Sequence, residues 1–407
     1  MSLPPDPAEW FRDQVVFLTG GTGNLGGCLL YKLAIQLPTA KIYVLCRGSM
    51  RQAVAKWEES MPEQIDDILD TGKIHCLTGD ITQPNLALGT SELEMLQNEV
   101  TLVIHSAANF SVFQALPESI RDNSLPVMEL GRMLLSFCKI RILLHISSIS
   151  SKSFLPGGVV QENADRLSSK EDAPEKQLAE ILATGKSPYT KQFIAPYAQS
   201  KYLAEQFLFE LNAPFPILIV RPSNIGPAIQ DPFPLYGPEG AIPIHTFFQL
   251  LFEASEHRTF EHLDSALPQH IILEEIPVDL VANTCLLHLA SGSNDIVHAG
   301  SQLYRPITFG EYVKQLRRYA PRPLVEKMSR VRVKMNAHFA EKSNDMLEHI
   351  CRDWRVDCTR SKPLKSTGGP IGLDISSHNF DSFFEKRISR RANNLMSWID
   401  SLESTAG

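Results

Sequence analysis

Tyr197 and Lys201 stand four residues apart in Pro196-Tyr197-Ala198-Gln199-Ser200-Lys201-Tyr202, so on a helix they share one face. A free phenol titrates at about 10 and is a poor acid near neutrality. A nearby ammonium favours the phenolate and lowers that value, which makes the pair a candidate acid catalyst. The same spacing alone also describes a surface packing pair. What distinguishes the two is the company the pair keeps. Earlier in the chain, Arg141-Ile142-Leu143-Leu144-His145-Ile146-Ser147-Ser148 reads as a buried strand that ends in hydroxyls. The carboxyl edge of a parallel sheet is where such folds place their chemistry, so the hydroxyls at this strand end join Tyr197 and Lys201 as candidates.

Chemistry of this kind needs a reactant beside it, and Val15-Val16-Phe17-Leu18-Thr19-Gly20-Gly21-Thr22-Gly23-Asn24-Leu25-Gly26-Gly27 describes a holder for one. The run reads as a strand, a glycine turn and the first turn of a helix. Gly20 permits the sharp turn, Gly23 clears space for a pyrophosphate, and Gly26 lets helix and strand lie close. Thr22, Asn24 and Leu25 belong to the same cradle, whose helix amino end favours a phosphate. The helix continues as an apolar stripe through Leu29, Leu30, Leu33, Ala34 and Leu37.

Further strands follow in order. Lys41–Cys46 ends on Arg47, where NAD-specific folds carry an acid; an arginine there pairs with a 2′-phosphate, and the expected cofactor is NADPH. Residues 49–73 read as helical. Ile74–Thr78 leads into Gly79-Asp80-Ile81, with Asp80 either at the cofactor or capping the next segment. Thr101–His105 ends in Ser106, Ala107 and Ala108, small enough to run beneath a cofactor, and His105 reads as a satisfied, partly buried histidine. Phe215–Arg221 ends in Pro222, Ser223 and Asn224, close to the nicotinamide, and Asp295–Ala299 reads as a seventh strand. Between 150 and 195 the composition turns to Glu, Asp, Lys, Ser and Pro: an insertion, read either as a flap over the substrate or as a solvated excursion. The fold class is α/β, a Rossmann-type doubly wound parallel sheet. Residues 1–225 form the NADP-binding domain, with the insertion at 151–195. Residues 226–407 form a smaller, mainly helical substrate region, with sheet-completing elements at 271–300.

The whole chain agrees with an enzyme of this size. Its 407 residues are 43% hydrophobic and 21% charged, as in soluble globular proteins. A net charge of -7 argues against nucleic acid as a partner. No apolar run is long enough to span a bilayer, and Met1–Asp6 is no signal peptide, so the expected location is cytoplasmic. The 7 cysteines lack metal-ligand spacing and read as reduced, mostly buried thiols, with no metal expected. An apolar segment around Phe247, Phe248, Leu250, Leu251 and Phe252 reads as core or as the wall of an acyl site. Lys314, Arg317, Arg318, Arg322, Lys327, Arg330, Arg332 and Lys334 form a basic zone, either a solvated face or a docking surface for coenzyme A phosphates or an acidic carrier protein.

The Gly-x-x-Gly-x-x-Gly spacing resembles the extended short-chain dehydrogenase/reductase superfamily. Lys41–Arg47, Thr78-Gly79-Asp80-Ile81, Val103–Ala108, Arg221-Pro222-Ser223-Asn224-Ile225-Gly226, Tyr236-Gly237-Pro238-Glu239-Gly240 and Ile276–Val281 make the chain similar to its fatty acyl-CoA reductase branch. That branch lies close to the thioester-reductase domains of nonribosomal peptide and polyketide synthases. At Asn123 the superfamily's Asn-Val-x-Gly is replaced by Asn-Ser-Leu-Pro, a departure that centres on Pro126. The resemblance implies reduction of an acyl thioester, bound to coenzyme A or a carrier protein, to the aldehyde and then in some cases to the alcohol. It places Asp80 beside the adenine, Lys201 on the nicotinamide ribose, and Tyr197 and Ser148 on the developing oxyanion. No adenylation or carrier domain precedes Val15, so the acyl group is expected to come from elsewhere. The rival readings are a sugar or hydroxysteroid dehydrogenase or epimerase with the same three residues, and a dinucleotide sensor without catalysis.

Overall fold

The computed structural model describes residues 4–111, 114–167, 173–237, 269–320, 322 and 352–390. Seven parallel strands form the central sheet: β1 (Val15–Thr19), β2 (Lys41–Cys46), β3 (Ile74–Thr78), β4 (Leu102–His105), β5 (Ile142–Ile146), β6 (Ile217–Pro222) and β7 (Asp295–Ala299). Their spatial order is β7-β6-β5-β4-β1-β2-β3, so the chain starts in the middle, winds outward one way and then crosses to the other side. This is the doubly wound Rossmann arrangement, and its point of reversal lies between β1 and β4.

Alternation along each strand feeds two cores. Val16, Leu18, Ile42, Val44, Ile104, Leu144 and Val220 face α1 (Asn24–Tyr31), α2 (Met50–Ser60) and the helix Val278–Ala290. Phe17, Tyr43, Val103, Leu143 and Ile219 point the other way, onto α4 (Thr90–Glu99), α6 (Leu125–Leu134) and α8 (Pro196–Glu210). With helices on both sides the strands read as continuous apolar runs. The region expected to be polar and helical resolves into α2 and α3 (Ile65–Asp70).

Three local features add to the sequence reading. The first helix is α-helical only to Tyr31 and continues as a π-helical turn, Lys32–Gln36. Lys32 is fully buried there, and its three ammonium donors go to Gln36 Oε1 at 3.2 Å, Asp231 Oδ2 at 2.8 Å and the Pro370 carbonyl at 3.0 Å. Pro126 opens α6, and the α5 (Leu116–Asn123) to α6 junction falls at Ser124; the proline sits in a first turn, where it costs no backbone hydrogen bond. The described part of the insertion is packed against its neighbours. Its α7 (Pro174–Thr184) buries Leu178 and Ile181 with Ile120, Phe193 and Tyr202 in a third apolar cluster.

The C-terminal segment returns to this region. Trp354–Val356 pairs in parallel with Gly158–Val160 of the insertion. Glu162 accepts the backbone N–H groups of His298 and Arg360, both at 2.8 Å, and Glu274 those of Ser301 and Val356 at 3.1 and 3.0 Å. Residues 380–390 are helical, held by a fork from Arg387 to Glu275 at 2.6 and 2.9 Å. The cysteines among the described residues are free thiols. None of the described helices is long and apolar enough to cross a membrane. The apolar segment 247–252 and the basic residues Lys327, Arg330, Arg332 and Lys334 lie outside the described residues, as does the side chain of Arg317. Lys314, Arg318 and Arg322 are exposed.

Candidate active site

The glycine turn is built by close approach. Gly20 has φ +74°, and a Cβ on it would lie 2.6 Å from the Ala107 nitrogen, so turn and β4 end touch backbone to backbone. A Cβ on Gly26 would stand 2.0 Å from the Gly20 carbonyl oxygen. At Gly23 a Cβ would meet that same oxygen at 3.3 Å and nothing else within 4 Å. Trp57 Nε1 donates to the Gly21 carbonyl at 2.9 Å and Tyr236 Oη to that of Asn24 at 3.0 Å, fixing the turn from two sides.

The remaining predicted cofactor residues stand at or just after the carboxyl ends of β2, β3, β4 and β6. Arg47 is exposed and makes no ion pair among the described residues. Asp80 Oδ1 accepts from the Thr82 nitrogen at 2.9 Å and its hydroxyl at 2.8 Å, so it caps the turn after β3, with Ile81 beside it. Exposure rises through Ser106, Ala107 and Ala108 as the chain leaves β4. His105 is more deeply buried than expected; its Nδ1 bonds Thr19 Oγ1 at 2.8 Å, and burial pushes its pKa down to about 3. Pro222 at the end of β6 and Ser223 just after it are buried, and Asn224 is half-buried. Asn24 Oδ1 and Ser223 Oγ are buried without a hydrogen-bond partner among the described residues. Orphaned groups of this kind call for a polar ligand, and a dinucleotide running from the glycine turn to the end of β6 fits both.

Tyr197, Ser148 and Lys201 converge at the end of β5. Pro196 opens α8, which puts Tyr197 in its first turn and Lys201 one turn on. Lys201 Nζ donates to the Ile146 carbonyl at 2.9 Å, and Ser148 stands near enough to Tyr197 to favour the ionised phenol. Ser148 accepts from the Ser150 nitrogen at 3.2 Å and its hydroxyl at 2.9 Å. Its own O–H is therefore left for a further acceptor.

The electrostatics differ from the expectation that Lys201 lowers the phenol. Burial pushes Tyr197 up to about 12, and the nearby Ser148 side chain is what opposes it. Burial also pushes Lys201 down to about 8, against the pull of Glu205. Desolvation thus outweighs the pairwise attraction at both groups, and the phenol stays protonated through the neutral range.

The residues passed over by the sequence reading lie just beneath. Glu205, one turn beyond Lys201, forms a fully buried ion pair with Arg221 at 2.7 Å and accepts from Ser147 and Ser151. Lys152, also buried, pairs with Asp165 at 3.4 Å. The signal available was the buried position of Arg221 inside an apolar strand. A cation there needs a carboxylate, and α8 carries one.

The comparisons with known proteins agree with this geometry. The family described as male sterility protein, an NAD-binding family, matches residues 18–285. Fatty acyl-CoA reductase 1 of Mus musculus is 26% identical over 303 residues, covering 68% of this chain and 55% of its own. Fatty acyl-CoA reductase wat of Drosophila melanogaster is 26% identical over 253 residues, covering 57% and 48%. The chain thus spans about half the length of these curated relatives. Among solved structures, the reductase domain of a nonribosomal peptide synthetase from Mycobacterium tuberculosis superposes with a TM-score of 0.63 at 17% identity, covering 97% of this chain and 94% of its own. The terminal R domain of the myxalamid pathway gives 0.60 at 20% identity, covering 89% and 90%. With a match over more than half its length, a glycine cradle and a Rossmann sheet, the chain belongs to the NAD-binding male sterility protein family.

Proposed function

We propose that the chain reduces an acyl thioester with NADPH. The observation that carries this reading is the meeting of Tyr197, Ser148 and Lys201 at the end of β5, beside the glycine turn, in a chain similar to fatty acyl-CoA reductases. The residues that would hold the dinucleotide are Gly20, Thr22, Gly23, Asn24, Leu25 and Gly26 at the pyrophosphate. Arg47 takes the 2′-phosphate, Asp80 and Ile81 the adenine side, Ser106–Ala108 the floor, and Pro222, Ser223 and Asn224 the carboxamide end. The chemistry the bound cofactor supplies is a hydride for the acyl carbonyl carbon.

The protein's own part is to bind and to manage a proton. Tyr197, protonated, donates to the carbonyl oxygen as negative charge develops there. A preorganised donor of this kind contributes about 3–4 kcal/mol to the barrier. Lys201 uses one of its donors on Ile146 and has others for the ribose hydroxyls. The tetrahedral adduct then collapses: the C–S bond breaks, the oxygen returns its proton to Tyr197, and the aldehyde leaves with the thiolate, which takes its proton from water. The substrate region is proposed to be built from residues 226 onward, and the acyl donor to be coenzyme A or a carrier protein.

The test follows free thiol with a chromogenic disulfide beside NADPH absorbance, on a panel of acyl-CoA thioesters. Thiol release that matches NADPH loss supports the reading. Oxidation or epimerisation of a sugar or sterol alcohol, with no thiol from any thioester, refutes it.

A further inference from the structure

Glu205 follows Lys201 by one helical turn and Tyr197 by two, so α8 aligns phenol, ammonium and carboxylate along one face. Neither Glu205 nor Arg221 has any exposed side-chain surface. Arg221 grips the carboxylate as a fork, Nε to Oε1 at 2.8 Å and Nη2 to Oε2 at 2.7 Å. Burial pushes the Glu205 carboxyl up, yet the guanidinium, Lys152 and Ser147 together hold it below its ordinary value, so it is ionised. A buried pair like this is a poor means of gaining stability, since apolar residues of similar shape serve as well.

Its other contacts give it a purpose. Ser147 Oγ donates to Glu205 Oε1, and Ser151 Oγ donates to the same oxygen at 3.0 Å. These two serines bracket Ser148 in the 3-10 turn after β5, whose backbone closes from the Ser151 nitrogen to the Ser148 carbonyl at 3.1 Å. Ser148 in turn has both acceptor sites filled by Ser150, so the aim of its single O–H is set by the turn that carries it. Arg221 stands on β6 directly before Pro222 and Ser223. One carboxylate therefore ties together the helix of Tyr197, the turn of Ser148 and the strand end of Ser223.

We infer that Glu205 is a positioning residue. With Arg221 as its counter-charge, it pins Ser147 and Ser151 and so fixes the turn that carries Ser148 against the helix of Tyr197. The inference rests on the proposed roles of Ser148 and Tyr197. It explains why a serine-rich turn stands here rather than a generic loop: Ser147 and Ser151 are anchors, and Ser150 fills the acceptor sites of Ser148.

Glu205→Gln would strand Arg221 in the interior and can abolish folding, so the informative chain is Ser147→Ala/Ser151→Ala, which leaves the ion pair whole. Its expected behaviour with an acyl-CoA thioester is a kcat lowered by about tenfold or more, with KM and NADPH affinity (by fluorescence titration) within about twofold of the parent. In a Ser148→Ala background the same double change lowers kcat by less than about twofold, because no hydroxyl remains to be aimed. Equal losses in both backgrounds, or a loss carried by KM, or an unimpaired double variant when Ser148→Ala is itself impaired, overturns the inference and leaves the proposed function standing. Full turnover by Ser148→Ala removes the catalytic reading of Ser148 and the inference with it.

Discussion

Lys201→Met is expected to make the protein more stable and inactive at once. Lys201 is 2% exposed, and burial brings its pKa from the ordinary 10.5 to about 8. Each unit is worth about 1.4 kcal/mol, so holding the ammonium charged at neutral pH costs the fold roughly 3 kcal/mol. Against this, the substitution removes the hydrogen bond to the Ile146 carbonyl and leaves that oxygen unpaired, a loss of about 1–2 kcal/mol. The net expectation is a gain of about 1–2 kcal/mol near pH 7. The sign of the pH dependence follows from the depressed value. The native chain binds this proton less tightly than the unfolded chain, so the cost is full below the folded pKa and is relieved as pH rises from about 8 toward 10.5. Thermal melts of parent and variant at about pH 7 and about pH 9.5 should therefore show an advantage for methionine that shrinks or reverses at the higher pH. A variant that melts well below the parent at neutral pH, or a difference that does not change with pH, would refute the picture of a strained, buried ammonium kept for function.

Gly26→Ala places a Cβ 2.0 Å from the Gly20 oxygen, so the turn must open; we expect about 1–3 kcal/mol of destabilisation and loss of NADPH fluorescence enhancement, and unchanged affinity would contradict the cradle. Arg47→Ala touches an exposed side chain and should leave the melting temperature alone while cutting the NADPH-over-NADH preference about tenfold, since a hydrogen bond to a charged group is worth about 1.5–3 kcal/mol. A ratio that does not move would remove Arg47 as the phosphate anchor. Arg221→Met strands the Glu205 carboxylate and should cost about 3–5 kcal/mol, most of it recovered in Arg221→Met/Glu205→Leu. Equal denaturation midpoints for the single variant and the parent would show the pair to be dispensable.

The sheet was legible because its signals are local. Val15–Leu18, Ile42–Leu45 and Ile217–Val220 are apolar runs of strand length, and the first ends in residues that a neighbouring backbone requires to be small. Gly20 and Gly26 are cases in point, since a Cβ at either would sit inside another residue's backbone. The Tyr197 and Lys201 pair was legible from spacing, but its electrostatics were not. Spacing gives the distance between charges, whereas the phenol and ammonium shifts come first from burial, which depends on what packs over them. The Glu205–Arg221 pair escaped notice because a glutamate in a helix looks solvated until the partner, 16 residues on in a different element, is in place. The same holds for Lys32, whose partners are Asp231 and Pro370, and for the pairing of Trp354–Val356 with Gly158–Val160. Contacts of that sequence separation leave no periodic trace.

The central claim is that the Tyr197 phenol delivers a proton to an acyl oxygen at the carboxyl edge of the sheet. The most direct test compares the parent with Tyr197→Phe for thiol released from an acyl-CoA in the presence of NADPH, with dinucleotide affinity measured on the same samples. The prediction is a loss of about 100-fold or more in thiol release with NADPH affinity unchanged. Equal thiol release from the two proteins would contradict it.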